Sequence, residues 1–156
     1  MDREQAIQMI FDRHGRCAVY VFATGYISRT AYRVLGGKGI ALYMQGSMGM
    51  GPAIGLGMAL NTTREIVVVN GDGALLMSLG TTHTLRTHKS PNLFHYVLDN
   101  GCYESVGGQP CHPLESSYPG VDEIFKIGCS GKDDRVGISV EYNADSVRRY
   151  VCYGCY

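Results

Sequence analysis

The sequence predicts an α/β fold, a doubly wound parallel sheet with helices on both faces. Strand-length apolar runs recur along the chain, helical segments lie between them, and the connections are short. The runs at 17–22, 66–69 and 93–98 are also nearly continuous in apolar residues, as strands covered on both faces are.

The first helix is expected over 2–13, where Ile7, Ile10 and Phe11 recur at helical spacing. Residues 17–22 follow as a buried strand between Gly15 and Gly25. Ser28 is a candidate N-cap for a helix through 30–35 that stops at Gly36 and Gly37. The stretch 46–60 sets Gly46, Gly49, Gly51, Gly55 and Gly57 among Met48, Met50, Ile54, Leu56 and Met58. A glycine inside a helix costs about 1 kcal/mol, so close approach of the backbone to a ligand or another subunit is the expected reason for so many. The same stretch is expected to form an apolar surface that a second chain would cover. Strand 66–69 ends in Asn70-Gly71-Asp72-Gly73, and an apolar helix is expected from Ala74 to about Arg86. Pro91 and Asn92 turn the chain into strand 93–98, which ends at Asp99-Asn100-Gly101.

One domain over 1–156 is expected, since 45% of the residues are hydrophobic and no charged or low-complexity tract interrupts them. Fourteen basic and fourteen acidic side chains cancel, which leaves no electrostatic footprint for nucleic acid or an anionic membrane surface. The segment 1–6 has mixed charge without an apolar core, and the apolar runs are too short to span a bilayer, so a cytoplasmic location is expected. The six cysteines are spread through apolar segments and read as free thiols. Cys152 and Cys155 form a Cys-x-x-Cys with no second pair or His-x-His nearby, and a metal or redox role is the lesser reading of it.

In parallel sheets of this class ligands bind beyond the carboxyl ends of the strands, and Asp72 and Asn100 both fall there. A carboxylate and an amide oxygen at one sheet edge suit a hard cation such as Mg²⁺, and the N–H groups of a helix starting at Ala74 would meet an anion beside it. By residue type alone Asp72 also reads as a turn residue and helix cap, and Asn100 as a turn amide. Both readings stay open at this level.

Gly71-Asp72-Gly73, a helix, a strand and then Asp99-Asn100 resembles the signature of thiamine-diphosphate-dependent enzymes, in which Gly-Asp-Gly is followed some two dozen residues later by Asn-Asn. Asp99 stands where the family has its first Asn, a position that is not a metal ligand there. The resemblance runs over roughly residues 1–128 and implies the diphosphate-binding domain of a 2-oxoacid decarboxylase. It implies thiamine diphosphate as cofactor, with Thr24, Gly25, Gly46, Ser47, Met48, Gly71, Asp72, Gly73, Ala74, Asn100, Cys102 and Tyr103 around it. Mg²⁺ would be held by Asp72, Asn100 and the main-chain carbonyl of Cys102. By the same resemblance the Gly46 carbonyl meets the aminopyrimidine, and Met48 wedges under the cofactor to keep it bent. Simple core packing is the other reading of Met48.

Ser105-Val106-Gly107-Gly108-Gln109-Pro110 is similar to the loop of phosphonopyruvate decarboxylases, and Ser105, Gln109 and His112 are the substrate candidates. His83, Arg86, His88 and Lys89 are further candidates for an anionic substrate group, by charge or hydrogen-bonding capacity alone. The rival readings are a sulfopyruvate decarboxylase beta subunit, an acetolactate-synthase-like carboligase and a non-catalytic subunit of the same fold. In this family the glutamate that protonates the cofactor's pyrimidine lies on a separate domain, so the resemblance implies an alpha-type partner chain and a hetero-oligomer. Glu104 reads as a loop or substrate residue instead. From about residue 129 the sequence departs from the family pattern: 136–140 is expected as a strand and 145–151 as a short helix, without the final apolar strand.

Overall fold

The computed structural model describes residues 1–129 and 140–152, and the strand expected at 136–140 falls largely outside them. Five parallel strands form one sheet in the order β2 (Ile40–Tyr43), β1 (Val19–Phe22), β3 (Ile66–Gly71), β4 (Leu93–Asp99), β7 (Glu123–Lys126). Because side chains alternate along a strand, each strand feeds two cores. On one face Tyr20, Phe22, Val67 and Val69 pack with α1 (Arg3–His14) and α2 (Tyr26–Leu35). On the other, Val19, Val21, Ile66 and Val68 pack with Leu56 and Ala59 of α3 (Gly51–Ala59) and Leu85 of α5 (Leu79–His88). The doubly wound architecture is therefore present.

Local chemistry explains most boundaries. The Asp2 carboxylate and the Gln5 side chain form a reciprocal capping box that starts α1. Gly36, in the left-handed conformation, ends α2. β2 was not anticipated; its four residues include two that are half-buried, and it lies at the sheet edge. Its outer side is covered by α6 (Val140–Cys152), which includes the short helix expected at 145–151. The Asn143 amide donates to the Tyr43 carbonyl at 2.9 Å and accepts from the Tyr43 N–H at 3.0 Å. A side-chain amide thus takes the place of a further strand there.

Three expectations are corrected. Ser28 does not cap α2, which begins at Tyr26; its buried hydroxyl instead donates toward the carbonyls of Phe22, Ala23 and Met44, tying together the ends of β1 and β2. The helix after β3 starts at Asp72 rather than Ala74 and breaks at Ser78, giving a six-residue α4 (Asp72–Met77) before α5. The glycines of 46–60 do not share one purpose. A Cβ on Gly55 would overlap Val68 Cγ2, so this glycine lets α3 lie close on its own sheet, whereas Gly57 faces open space. Leu56 and Ala59 are buried in that contact, and of the stretch's large apolar side chains Met50 and Leu60 are exposed.

Candidate functional site

The chain runs outward from β1 to β2, then returns to the other side of β1 to make β3. At such a switch point the connections diverge and leave a crevice beyond the strand ends. A pocket of about 420 Å³ lies there. Its walls come from the segments that follow β1 (Thr24, Gly25), β2 (Gly46, Ser47, Met48), β3 (Asp72, Gly73, Ala74) and β4 (Asn100, Cys102, Tyr103).

Asp72 is the first residue of α4 and 4% exposed. One carboxylate oxygen accepts from the Gly73 N–H at 2.9 Å and the other from the Gly101 N–H at 2.9 Å. Burial raises its pKa above the ordinary carboxylate value, the two N–H groups oppose that, and the nearby Asp99 adds to it. Asn100 Oδ1 accepts from the Cys102 N–H at 3.2 Å, and its Nδ2 donates to Glu104 Oε2 at 2.9 Å. Asp99 is buried, shares the Gly101 N–H with Asp72 and pairs with Lys126 on β7, and it does not line the pocket. Burial, helped by the neighbouring Cys129 thiol, pushes the Cys102 thiol up to about 12.

The glycines here are spatial requirements. Gly25 has φ +79°, and a Cβ on it would lie 2.8 Å from Ser105 Oγ. A Cβ on Gly73 would overlap the Tyr103 ring and approach Met48 Cε at 3.2 Å. Met48 therefore lies in the cleft beside Gly73, half-buried. Ser47 is the one non-glycine residue with positive φ among those described, at 57°, in the turn after β2. A non-glycine residue held in that region marks a wall whose backbone path is set by its surroundings.

Several pocket residues were invisible in the linear sequence. Arg3, on α1, is 4% exposed, pairs with Glu104 and donates to Thr30 Oγ1 at 3.2 Å. Glu104, which the sequence offers as a loop or substrate residue, also lines the pocket, and its Oε1 is buried without a hydrogen-bond partner among the described residues. Arg3 and Arg29 both lie over the Tyr26 ring, at 5.2 and 5.1 Å from its centroid, and all three line the pocket. Of the substrate candidates Ser105 lines the pocket, but Gln109 and His112 do not. Both are exposed, Gln109 in the small hairpin of β5 (Cys102–Tyr103) and β6 (Gln109–Pro110). His83, Arg86, His88 and Lys89 lie on or just after α5, away from the pocket lining, and Lys89 pairs with Asp122.

The donor set suits a cation with a phosphorylated ligand. Asp72, the Asn100 amide oxygen, the carbonyl at 102 and Glu104 Oε1 are hard oxygen donors. An oxygen that has accepted one N–H retains a lone pair. An α/β sheet with these donors in a glycine-lined crevice at its switch point defines a cofactor-binding domain.

The comparisons with known proteins narrow that class. Residues 23–148 match the family model described as thiamine pyrophosphate enzyme, C-terminal TPP binding domain, and the chain belongs to that family. It is 44% identical over 107 residues to a phosphonopyruvate decarboxylase of Streptomyces viridochromogenes, covering 69% of this chain and 27% of that protein. It is 35% identical over 127 residues to the sulfopyruvate decarboxylase subunit beta of Methanocaldococcus jannaschii, covering 81% of this chain and 65% of that one. The chain thus spans about a quarter of the first relative and just under two thirds of the second. A solved enzyme of Mycobacterium smegmatis described as thiamin diphosphate-dependent superposes with a TM-score of 0.59 at 22% identity, over 74% of this chain and 24% of that one; this likeness concerns the fold. Among the described residues no helix is long and apolar enough to cross a membrane.

Proposed function

We propose that this domain holds the Mg²⁺–diphosphate end of thiamine diphosphate in a 2-oxoacid decarboxylase that converts phosphonopyruvate to phosphonoacetaldehyde and CO₂, in the cytoplasm. The observation that supports the reading is the joining of Asp72, Asn100 and Cys102 in the lining of one pocket, in a domain of the thiamine pyrophosphate family. In the bound state the thiazolium supplies the electron sink for loss of CO₂. The chain's own residues do the rest. Asp72, Asn100 and the carbonyl at 102 hold the metal. Glu104, neutralised by Arg3, accepts from Asn100 Nδ2 and so fixes which way the amide oxygen points. Thr24, Gly25, Gly71 and Ala74 border the diphosphate, and Gly46, Ser47, Met48 and Tyr103 border the rings. Arg29, on the pocket wall, is assigned to the substrate's anionic group, with Ser105 in the same lining.

The identity to phosphonopyruvate decarboxylases favours that substrate. Sulfopyruvate is the second reading, favoured by the longer match to the sulfopyruvate decarboxylase beta subunit. That name also supports a partner: we assign the pyrimidine-activating glutamate to an alpha-type chain that completes the site in a hetero-oligomer. The test is co-expression with a pyrimidine-domain chain, followed by CO₂ release assays on phosphonopyruvate, sulfopyruvate and pyruvate. Phosphonoacetaldehyde formed by the mixture and not by either chain alone is the expected result. Preference for sulfopyruvate would transfer the assignment to the second reading, and full turnover by this chain alone would remove the partner.

A further inference from the structure

Cys102 and Cys129 come from different elements, the hairpin after Asn100 and the segment after β7, and their sulfurs lie 3.1 Å apart. A disulfide needs 2.03–2.05 Å, so movement of about 1 Å closes the bond. The juxtaposition is held by backbone: the Ile127 N–H donates to the Asp99 carbonyl at 2.9 Å, which keeps the segment leading to Cys129 beside the strand end that leads to Cys102. Cys129 Sγ also lies 3.6 Å from the Asn100 carbonyl oxygen. Of the two thiols Cys129 is the exposed one and Cys102 half-buried, an arrangement that gives an oxidant one entry and a resolving thiol behind it.

We propose that Cys102 and Cys129 form a redox-modification site at the rim of the cofactor pocket, closed to a disulfide by a peroxide and reopened by a dithiol. Cys129 sulfur attacks one peroxide oxygen; the S–O bond forms, the O–O bond breaks, and the second oxygen leaves as water with the thiol proton. Cys102 sulfur then displaces the hydroxyl from Cys129, forming S–S, and the Cys102 thiol proton leaves with that hydroxyl as a second water. Two thiols are oxidised, and one peroxide is reduced to two waters. A dithiol reverses this by exchange, leaving as its own disulfide. Transient, redox-sensing disulfides of this kind are compatible with a reducing compartment.

The effect on the pocket rests on the reading of the site given above. Cys102 supplies the main-chain carbonyl assigned to the metal, and its N–H is bonded to Asn100 Oδ1. Drawing its side chain toward Cys129 shifts both, so the oxidised protein binds thiamine diphosphate and Mg²⁺ about tenfold more weakly, the lower end of what outer-shell changes do to metal affinity.

The experiment treats the reduced full-length chain with hydrogen peroxide, alkylates the remaining thiols, digests, and maps linked peptides by mass spectrometry. The expected product joins Cys102 to Cys129 with loss of two hydrogens and disappears with dithiothreitol. Calorimetry with thiamine diphosphate and Mg²⁺ should show the weaker binding in oxidised wild type and no change in peroxide-treated Cys129→Ser. Should that variant fail to fold, Cys129→Ala serves the same purpose. Separate alkylation of both thiols after peroxide, or linkage of Cys129 to Cys152 or Cys155 instead, overturns the site. A Cys102–Cys129 link with unchanged affinity overturns the effect on the pocket. If the reduced protein binds no cofactor at all, the reading of the pocket fails, while the peptide map still decides the redox site.

Discussion

Asp72 accepts from two backbone N–H groups and keeps lone pairs toward the crevice, so its negative charge is held in place before any cation arrives. Replacing it by Asn keeps the size and removes the charge. Calorimetry of Asp72→Asn should show thiamine diphosphate–Mg²⁺ affinity lower by roughly 100-fold, or about 2.8 kcal/mol, with the thermal midpoint little changed. At Arg29 the expected effect is different in kind. A charge-assisted hydrogen bond is worth ~1.5–3 kcal/mol, so Arg29→Leu in the assembled enzyme should raise the KM for phosphonopyruvate by about 10- to 100-fold while leaving cofactor affinity within twofold; steady-state kinetics beside calorimetry separates the two. Asp72 and Asn100 were legible in the sequence because each directly follows a strand, and the strand end dictates where the next residue sits. Arg3, and its pairing with Glu104, were not, because the two residues are separated by 101 positions and meet only through the fold. Gln109 and His112 lie outside the pocket lining for a related reason. Nearness in sequence to Ser105 did not survive the turn through Gly107 and Gly108, both with positive φ, which carries them out of the pocket.

The helices show why a run of glycines cannot be read as one signal. Gly55 and Gly57 are two residues apart on α3, yet one is pressed on the sheet and the other faces solvent. Alanine raises helix propensity by about 1 kcal/mol at either site. At Gly57 nothing opposes this, so Gly57→Ala should stabilise the fold by roughly 0.5–1 kcal/mol. At Gly55 the new methyl would overlap Val68 Cγ2 and sit 3.3 Å from Leu93 Cδ1. Over-packing of about 1–3 kcal/mol outweighs the propensity gain, and Gly55→Ala should be destabilising, with partial recovery in Gly55→Ala/Val68→Ala. Urea denaturation of the variants measures both signs. The continuous apolar strands β1, β3 and β4 were legible from composition because both their faces are covered. Edge strand β2 was not, since its burial alternates and its outer backbone is satisfied by Asn143, a residue 100 positions away from Tyr43. The break at Ser78 that divides α4 from α5 likewise has no proline or glycine in it to announce it.

At the scale of the whole molecule the response to acid follows from what the sheet buries. His95 lies in β4 with its side chain on the Val68 side of the sheet, fully enclosed, and burial lowers its pKa to about 4 despite the opposing Asp122 carboxylate. In the unfolded chain the same imidazole titrates near ~6.5. Between these values the unfolded state binds a proton that the native state refuses, so stability is complete above about pH 6.5 and falls as the pH drops toward 4. The loss is on the order of 3 kcal/mol once the pH is below both values. Asp72 works the other way: its raised folded pKa means that burial of its charge disfavours the native state at neutral pH, and protonation in acid removes that penalty. The two are separable by substitution. His95→Leu should flatten the fall in urea midpoint between pH 7 and 4, whereas Asp72→Asn should leave the His95 slope in place and make the net loss larger, because the compensating carboxylate is gone. A midpoint that falls equally steeply in His95→Leu and wild type would assign the acid sensitivity to surface carboxylates such as those paired with Lys89 and Arg13, and not to the buried imidazole.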